Sequence, residues 1–243
     1  MVLITETSIR RDSSLDLIAI YRQNEGGSGS SLWSELDSLL SLLSIFNPMD
    51  AKTELLEAIA GKNRGLLVSD QDRVTILSAV EKLEDHNPHP HPLAANELLD
   101  GNWRLLYTSS RSILGLDRFP LIQLGQIYQS LDVAQSRVVN LAEIEGIPWL
   151  EGLVAVVASF KGVSDKRLEV KFERSIAGLQ RLLNYQSPGQ FVQQVAIGKR
   201  FLPVDFSLPS RSGSPAWLEI TYLDDDLRIS RGNEGNVFVL SRD

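Results

Sequence analysis

The residues whose types and spacing could do chemistry lie close together near the C-terminus. Asp224 and Asp226 are separated by one residue, and Arg228 and Arg231 follow on a predicted strand. Two neighbouring carboxylates could in principle work as acid and base, but neither a histidine nor a nucleophile accompanies them. Two interpretations stay open. The cluster gates or anchors a ligand, or it is an aspartate-stabilised turn with Arg–Asp pairing that fixes a hairpin.

The histidines form a second cluster with the residue type that binds metals. All 3 lie within one short segment, at His86, His89 and His91. Imidazole suits zinc or copper, but the prolines that alternate with these histidines force an extended chain whose successive side chains diverge. The segment is therefore predicted to be a linker, and the sequence indicates neither a metal nor a cofactor.

Gly101-Asn-Trp103 marks the start of the first predicted strand. A Gly-x-Trp at this place resembles the lipocalin signature, in which the tryptophan plugs the closed end of a β-barrel and stacks under an arginine. Arg228 or Arg231 would supply that arginine here. The plainer interpretation is that Trp103 is a core residue, and the two coincide if the barrel forms.

The elements that must position these residues are mostly strands. Short segments rich in β-branched and aromatic residues, separated by turn residues, indicate an antiparallel sandwich or a closed barrel. The predicted strands are 103–109, 127–132, 137–142, 154–160, 167–174, 217–222, 227–231 and 237–241. Residues 178–215 contain few strand signals and are predicted to be a long excursion over or across the barrel.

An eight-stranded barrel leaves room inside for one small ligand, so the aromatic residues of these strands are candidates for its lining. Alternation does not say which face is inside, and each candidate could equally be a packing residue. On the ligand-binding interpretation, the Asp224–Arg231 cluster lies at the barrel mouth. The candidate lining residues are Tyr107, Tyr128, Phe160, Phe172 and Tyr222.

Residues 49–99 are predicted to be helical. Asp50 is a candidate N-cap for a helix that ends at Gly61. Ser69 and Asp72 resemble a capping box in which aspartate replaces the usual glutamate, and they open a second helix.

The first 48 residues form an extension with three features. Residues 16–22 are predicted to be a strand, residues 26–31 have the composition of a flexible linker, and residues 32–46 carry leucines at helical spacing. That helix could pack on the barrel, lie on a membrane or bind a protein partner. Its polar face lacks the Lys and Arg of membrane-surface helices, which favours packing or a partner. The extension could be natural, a fused segment or a product of an upstream start.

Composition excludes several classes of protein. The chain of 243 residues is 43% hydrophobic and 23% charged, as in ordinary globular proteins. The absence of cysteine excludes disulfides and thiolate sites, and a net charge of -7 argues against nucleic-acid binding. No apolar run approaches a membrane span. The N-terminus matches neither a secretory signal nor an acidic-poor transit peptide.

The C-terminal block resembles the signature of the plastid lipid-associated protein family, the fibrillins, in which Tyr-Leu-Asp-x-Asp-Leu-Arg-Ile-x-Arg-Gly precedes a Phe-Val-Leu strand. Residues 58–65, 83–84 and 87–88 also resemble the N-terminal region of that family, so the likeness runs from near residue 50 to residue 240. The matching C-terminal positions are Tyr222, Leu223, Asp224, Asp226, Leu227, Arg228, Ile229, Arg231, Gly232, Phe238, Val239 and Leu240.

The resemblance implies a lipocalin-like antiparallel β-barrel at residues 100–243, preceded by two or three α-helices at 49–99. It implies a non-catalytic carrier of hydrophobic small molecules: isoprenoids, carotenoids, quinones or fatty-acid lipids. Peripheral association with thylakoid membranes or lipid droplets is expected, in a cyanobacterium or, for a plant protein, in a plastid. The alternatives are a coat or scaffold protein with a solid barrel, and an enzyme, for which the sequence lacks convergent ionisable groups.

Overall fold

The computed structural model describes residues 48–110, 122–146, 148–202, 204–209 and 215–243. These belong to the second of two units into which the chain divides, Pro48–Asp243. The predicted strand 16–22, linker 26–31 and helix 32–46 lie outside the described residues.

The first two helices are the long ones of the N-terminal region. Ser69 caps the second helix as predicted, because its hydroxyl accepts a hydrogen bond from the Asp72 N–H at 3.1 Å and the Asp72 carboxylate accepts one from the Ser69 N–H at 3.0 Å. The prediction that Asp50 is an N-cap is wrong, since Asp50 lies within the first helical turn. The helices are α1 (Pro48–Ile59), α2 (Asp70–Glu84), α3 (Asn96–Leu99), α4 (Gln180–Leu183) and α5 (Pro188–Ala196), with a 3-10 turn at Pro92–Ala94.

A strand forms at every segment that the sequence predicted and extends beyond the predicted bounds at one or both ends, although the first strand ends at Thr108, one residue before its predicted end. One further strand, β6, and the helices α4 and α5 occupy the region 178–215 where strand signals were weak. The strands are β1 (Gly101–Thr108), β2 (Ile122–Asp132), β3 (Arg137–Gly146), β4 (Gly152–Gly162), β5 (Arg167–Leu179), β6 (Asp205–Ser207), β7 (Ala216–Leu223), β8 (Leu227–Gly232) and β9 (Val237–Arg242).

All strand pairs are antiparallel, and the sheet closes on itself. The order is β4-β3-β2-β1-β9-β8-β7-β5-β6, and β4 also pairs with β5. Eight strands therefore form a closed barrel, with β6 attached to the far end of β5. The predicted mainly-β fold, an antiparallel barrel preceded by helices, is confirmed.

Two outer surfaces of the barrel are covered by helices. The helices α1 and α2 bury Leu55, Ile76 and Leu83 against the outer face of β7, β8, β9 and β1. On the other side, Phe191 of α5 packs under β3 and β4, and stacks on Phe201 at 5.0 Å between ring centroids. In the described part of the chain, no helix combines the length and the apolarity that crossing a membrane requires.

A candidate ligand cavity inside the barrel

The barrel encloses a cavity of ≈ 550 Å³, within the usual range of small-molecule sites. Most of its wall is aliphatic and aromatic. Exposed residues of the β8–β9 turn, Asn233 and Glu234, also line it, so the cavity reaches the surface at that end. The apolar lining comprises Leu105, Ile127, Leu131, Val138, Val156, Phe160, Leu168, Val170, Phe172, Ala216, Trp217, Leu218, Phe238 and Leu240.

The opposite end is closed around Trp103, as the sequence predicted for a barrel. Trp103 is fully buried, and its indole N–H donates to the carbonyl oxygen of Leu99 at 3.0 Å. The guanidinium carbon of Arg242 lies 4.6 Å from the centre of the Trp103 ring system, and that side chain also donates to the Asp100 carbonyl oxygen at 2.9 Å. The segment before β1 is thereby fixed across the end of the barrel.

Arg228 is the second arginine at Trp103, and it lies inside the barrel. Its guanidinium carbon is 4.8 Å from the centre of the ring system, and the side chain is fully buried. One terminal nitrogen, Nη2, donates to Oε1 of Gln129. Burial, and then the nearby charge of Arg242, lowers the pKa of Arg228 to about 9. The guanidinium therefore stays protonated at neutral pH and adds a positive charge beneath the cavity.

A short polar stripe interrupts the apolar wall above Arg228. Gln129 and Asn140 face each other across β2 and β3, and Nε2 of Gln129 donates to Oδ1 of Asn140 at 2.8 Å. Ser230 lines the cavity two residues along β8 from Arg228. Sequence reasoning missed Gln129, Asn140, Ser230 and Arg242; the only signal for them was the presence of polar residues within apolar strands.

Three of the five predicted lining aromatics border the cavity. Phe160 and Phe172 line it directly, and Phe172 is 44% exposed where β5 exchanges β7 for β6 as its neighbour. Tyr128 borders it and also packs against the apolar cluster under α5.

Tyr107 and Tyr222 do not line the cavity. Both are buried between the sheet and the helices α1 and α2. A register shift separates Leu105 from Tyr107, and another separates Ile220 from Tyr222. A β-bulge adds one residue and turns the following side chains to the other face. Trp103 and Ile220 therefore belong to the inner cluster while the two tyrosines belong to the outer one.

Asp224 and Asp226 lie at the closed end, which corrects the expectation that they lie at the mouth. Consecutive hairpin turns alternate between the two ends of the barrel, so the β7–β8 turn is opposite the β8–β9 turn. Asp224 accepts hydrogen bonds from the Leu227 N–H at 2.7 Å, the Tyr222 hydroxyl at 2.7 Å and Nζ of Lys52 at 2.8 Å. Lys52 also bonds to Asp226.

The electrostatics of this turn fit a structural fastener between α1 and the sheet. Burial raises the pKa of Asp224, but the hydrogen bonds from Lys52, Tyr222 and the backbone outweigh it and lower that pKa to about 2. Burial and the bond to Asp224 raise the pKa of Tyr222. Burial alone would lower the pKa of Lys52. The hydrogen bonds and negative charges of Asp224 and Asp226 outweigh burial, so the pKa of Lys52 lies above its ordinary value.

Arg231 faces away from the cavity and fastens α2. Its Nε and Nη2 atoms donate to the two carboxylate oxygens of Glu84 at 2.9 Å and 2.6 Å. Of the two arginines that the sequence offered as partners for Trp103, Arg228 therefore takes that place and Arg231 does not.

The histidines are engaged separately. Nδ1 of His86 lies 2.7 Å from the Lys82 carbonyl oxygen, and Nδ1 of His91 lies 3.0 Å from a carboxylate oxygen of Asp165. The part of the chain that the structure describes holds no group of three or more His, Cys, Asp or Glu side chains that could bind a metal ion.

The sequence of the chain matches a known protein family. The family model PAP_fibrillin matches residues 49–241. "Light-induced protein, chloroplastic" of Solanum tuberosum is 33% identical over 219 residues, which cover 79% of this chain and 67% of that protein. "Probable plastid-lipid-associated protein 2, chloroplastic" of Arabidopsis thaliana is 31% identical over 221 residues, covering 79% and 70%.

A third relative has a name that mentions a pigment. "Chromoplast-specific carotenoid-associated protein, chromoplastic" of Cucumis sativus is 33% identical over 218 residues, covering 79% of this chain and 67% of that protein. No solved structure matches the chain.

Proposed function

This chain belongs to the PAP/fibrillin family, and on that premise we propose that it is a non-catalytic carrier of a hydrophobic small molecule at photosynthetic membranes. The ligand would be an isoprenoid, a carotenoid, a quinone or a fatty-acid lipid. The observation that carries the proposal is the cavity of ≈ 550 Å³ inside the barrel. A solid barrel would have favoured a coat or scaffold protein.

The driving force for binding would be removal of apolar surface from water. Each Å² of apolar surface that is buried contributes about 25 cal/mol before the costs of association. The names of the relatives support a ligand of this kind, because they describe plastid-lipid-associated and carotenoid-associated proteins.

The test is native mass spectrometry, with organic extraction, of protein purified from a photosynthetic host. We expect a co-purifying lipid or isoprenoid at one copy per chain. In the variant Val156→Phe, the added ring would fill part of the cavity, so the occupancy should fall while the protein stays folded. Val74→Phe is the matched control, because Val74 is 63% exposed on α2.

A mass without ligand, and no uptake of offered carotenoids, quinones or fatty acids, would refute the carrier function. The scaffold function would then be favoured. Equal loss of ligand in the Val74→Phe control would also count against the cavity as the binding site.

We further propose that the protein contacts lipid surfaces through an apolar rim, made of Trp149, Leu150 and Leu182. These side chains are 76%, 52% and 73% exposed. The β3–β4 turn that carries Trp149 and Leu150 lies at the same end of the barrel as the β8–β9 turn. The Gln180 N–H of α4 donates to the Glu151 carbonyl oxygen at 2.9 Å, which joins the start of α4, the helix that carries Leu182, to the residue that follows Leu150.

Exposed tryptophan and leucine at the end of the barrel where the cavity opens are suited to insertion between lipid head groups. The measurement is flotation with phosphatidylcholine–phosphatidylglycerol vesicles. Replacement of Trp149 and Leu182 by serine should lower the bound fraction several-fold. Leu67 and Val74 are 66% and 63% exposed and lie just before and on α2, away from this rim, so their replacement by serine should leave the bound fraction unchanged. Equal effects of the two pairs would contradict this contact surface.

A further inference from the structure

Arg228 is a buried cation whose charge is not compensated by the described part of the protein. Its side chain is fully buried, and Nη2 donates to Gln129. The Nε and Nη1 atoms have no hydrogen-bond partner among the described residues, and no Asp or Glu of those residues forms an ion pair with Arg228. Buried charges are normally paired and buried N–H groups are normally bonded, so this position lacks an acceptor.

Ser230, in the cavity wall, also lacks a hydrogen-bond partner. It is fully buried, lines the cavity, and its hydroxyl has no partner among the described residues. Arg228 and Ser230 are two residues apart on one strand, so their side chains point to the same face with Cα atoms about 7 Å apart. Ser230 thus lines the cavity and Arg228 lies beneath it, so two groups that can donate hydrogen bonds lie side by side at its inner end, next to the polar pair Gln129 and Asn140.

We propose that this inner end binds the head group of a single-chain amphiphile. The head group carries an oxygen atom that accepts hydrogen bonds, and it is preferably a carboxylate. The inference rests on the carrier function proposed above and specifies its ligand class. A carboxylate against Ser230 and Arg228 would supply both the missing acceptors and the missing negative charge. A pure hydrocarbon of the same length would leave these groups unpaired.

The opposite orientation of the ligand is disfavoured by the charges at the mouth. Glu234 lines the cavity there and is exposed, so an anionic head group at that end would meet a like charge. The apolar chain is therefore directed from the polar inner end towards the β8–β9 turn, along the apolar wall formed by Leu105, Phe238 and Leu240.

The test compares two fluorescent probes, cis-parinarate, which has a carboxylate, and diphenylhexatriene, which is a hydrocarbon. Ser230→Ala should weaken parinarate binding about tenfold and Arg228→Met by more, as expected for hydrogen bonds to a charged group. Binding of diphenylhexatriene should change less than twofold in both. The control is Ser241→Ala, because the Ser241 hydroxyl also lacks a partner among the described residues but lies on β9 opposite the outward-facing Leu227.

Competition on the unaltered protein keeps the test independent of whether Arg228→Met folds. Oleate should displace diphenylhexatriene at a concentration at least tenfold lower than 1-octadecene does, although octadecene is the more hydrophobic. Equal displacement by the two would overturn the head-group site while leaving the carrier function in place. If neither fluorescent probe binds, the carrier function fails, and the head-group site fails with it.

Discussion

The β7–β8 turn gives a prediction whose magnitude follows from the structure. Asp224 accepts hydrogen bonds from Lys52, Tyr222 and two backbone N–H groups, and its pKa falls from 3.8 to about 2. Its side chain is only 21% exposed, so little of the effect is lost to solvent. One pKa unit corresponds to about 1.4 kcal/mol, which gives the ionised Asp224 a contribution of about 2 kcal/mol to the free energy of unfolding at pH 7.

The perturbation is Asp224→Asn, which keeps the shape and removes the charge. Because the pKa of Asp224 is lower in the folded state, its contribution is fully present above pH 4 and is lost as the pH falls towards 2. Urea denaturation should show the variant less stable than the original protein by about 2 kcal/mol at pH 7 and by about half that at pH 3. Because the variant is compared with the original protein at the same pH, the effects of the other carboxylates on the free energy of unfolding cancel.

Asp225→Asn is the matched control. Asp225 lies in the same turn but is exposed, and its side chain makes no hydrogen bond with the described residues. Its replacement should change the free energy of unfolding by less than about 0.5 kcal/mol. The reasoning would be refuted if Asp224→Asn lowered the free energy of unfolding equally at pH 7 and pH 3. It would also be refuted if Asp225→Asn lowered that free energy as much as Asp224→Asn does.

Three further predictions concern β6, the closed end and the outer face. Asp205→Ala should cost about 3 to 5 kcal/mol in urea denaturation, because it leaves two arginines without their buried carboxylate; Glu169→Ala, at an exposed site, should cost less than about 0.5 kcal/mol. Trp103→Leu should cost about 3 kcal/mol, whereas Trp149→Leu should leave the free energy of unfolding nearly unchanged; similar losses would contradict the plug. Tyr107→Phe should be neutral or stabilising, because the buried hydroxyl has no partner among the described residues, and it should not alter binding of diphenylhexatriene. Weaker binding of diphenylhexatriene by Tyr107→Phe would indicate that Tyr107 lines the cavity after all.

The strands and turns were readable from sequence because their signals are local. The run of three aspartates before Leu227 predicts a hairpin turn, and the side chain of Asp224 makes that turn by accepting from the Asp226 and Leu227 N–H groups. The capping box at Ser69 is equally local. The helix α5 was missed although Ser187 followed by Pro188 is a helix-start signal, and Ser187 does accept a hydrogen bond from the Gln190 N–H.

The inner face of the barrel could not be read in the same way, because it depends on where the register shifts. Trp103, Leu105 and Tyr107 have odd numbers on one strand, and strict alternation would place all of them inside. The shift between Leu105 and Tyr107 is a relation between β1 and β9 and leaves no mark in either sequence segment. For the same reason, the residues of the C-terminal motif, which is the most distinctive of the chain, do not all serve one site. Arg228 points into the barrel, whereas Asp224 and Arg231 fasten the helices to its outer face, so a run of motif residues along one hairpin is not a single site.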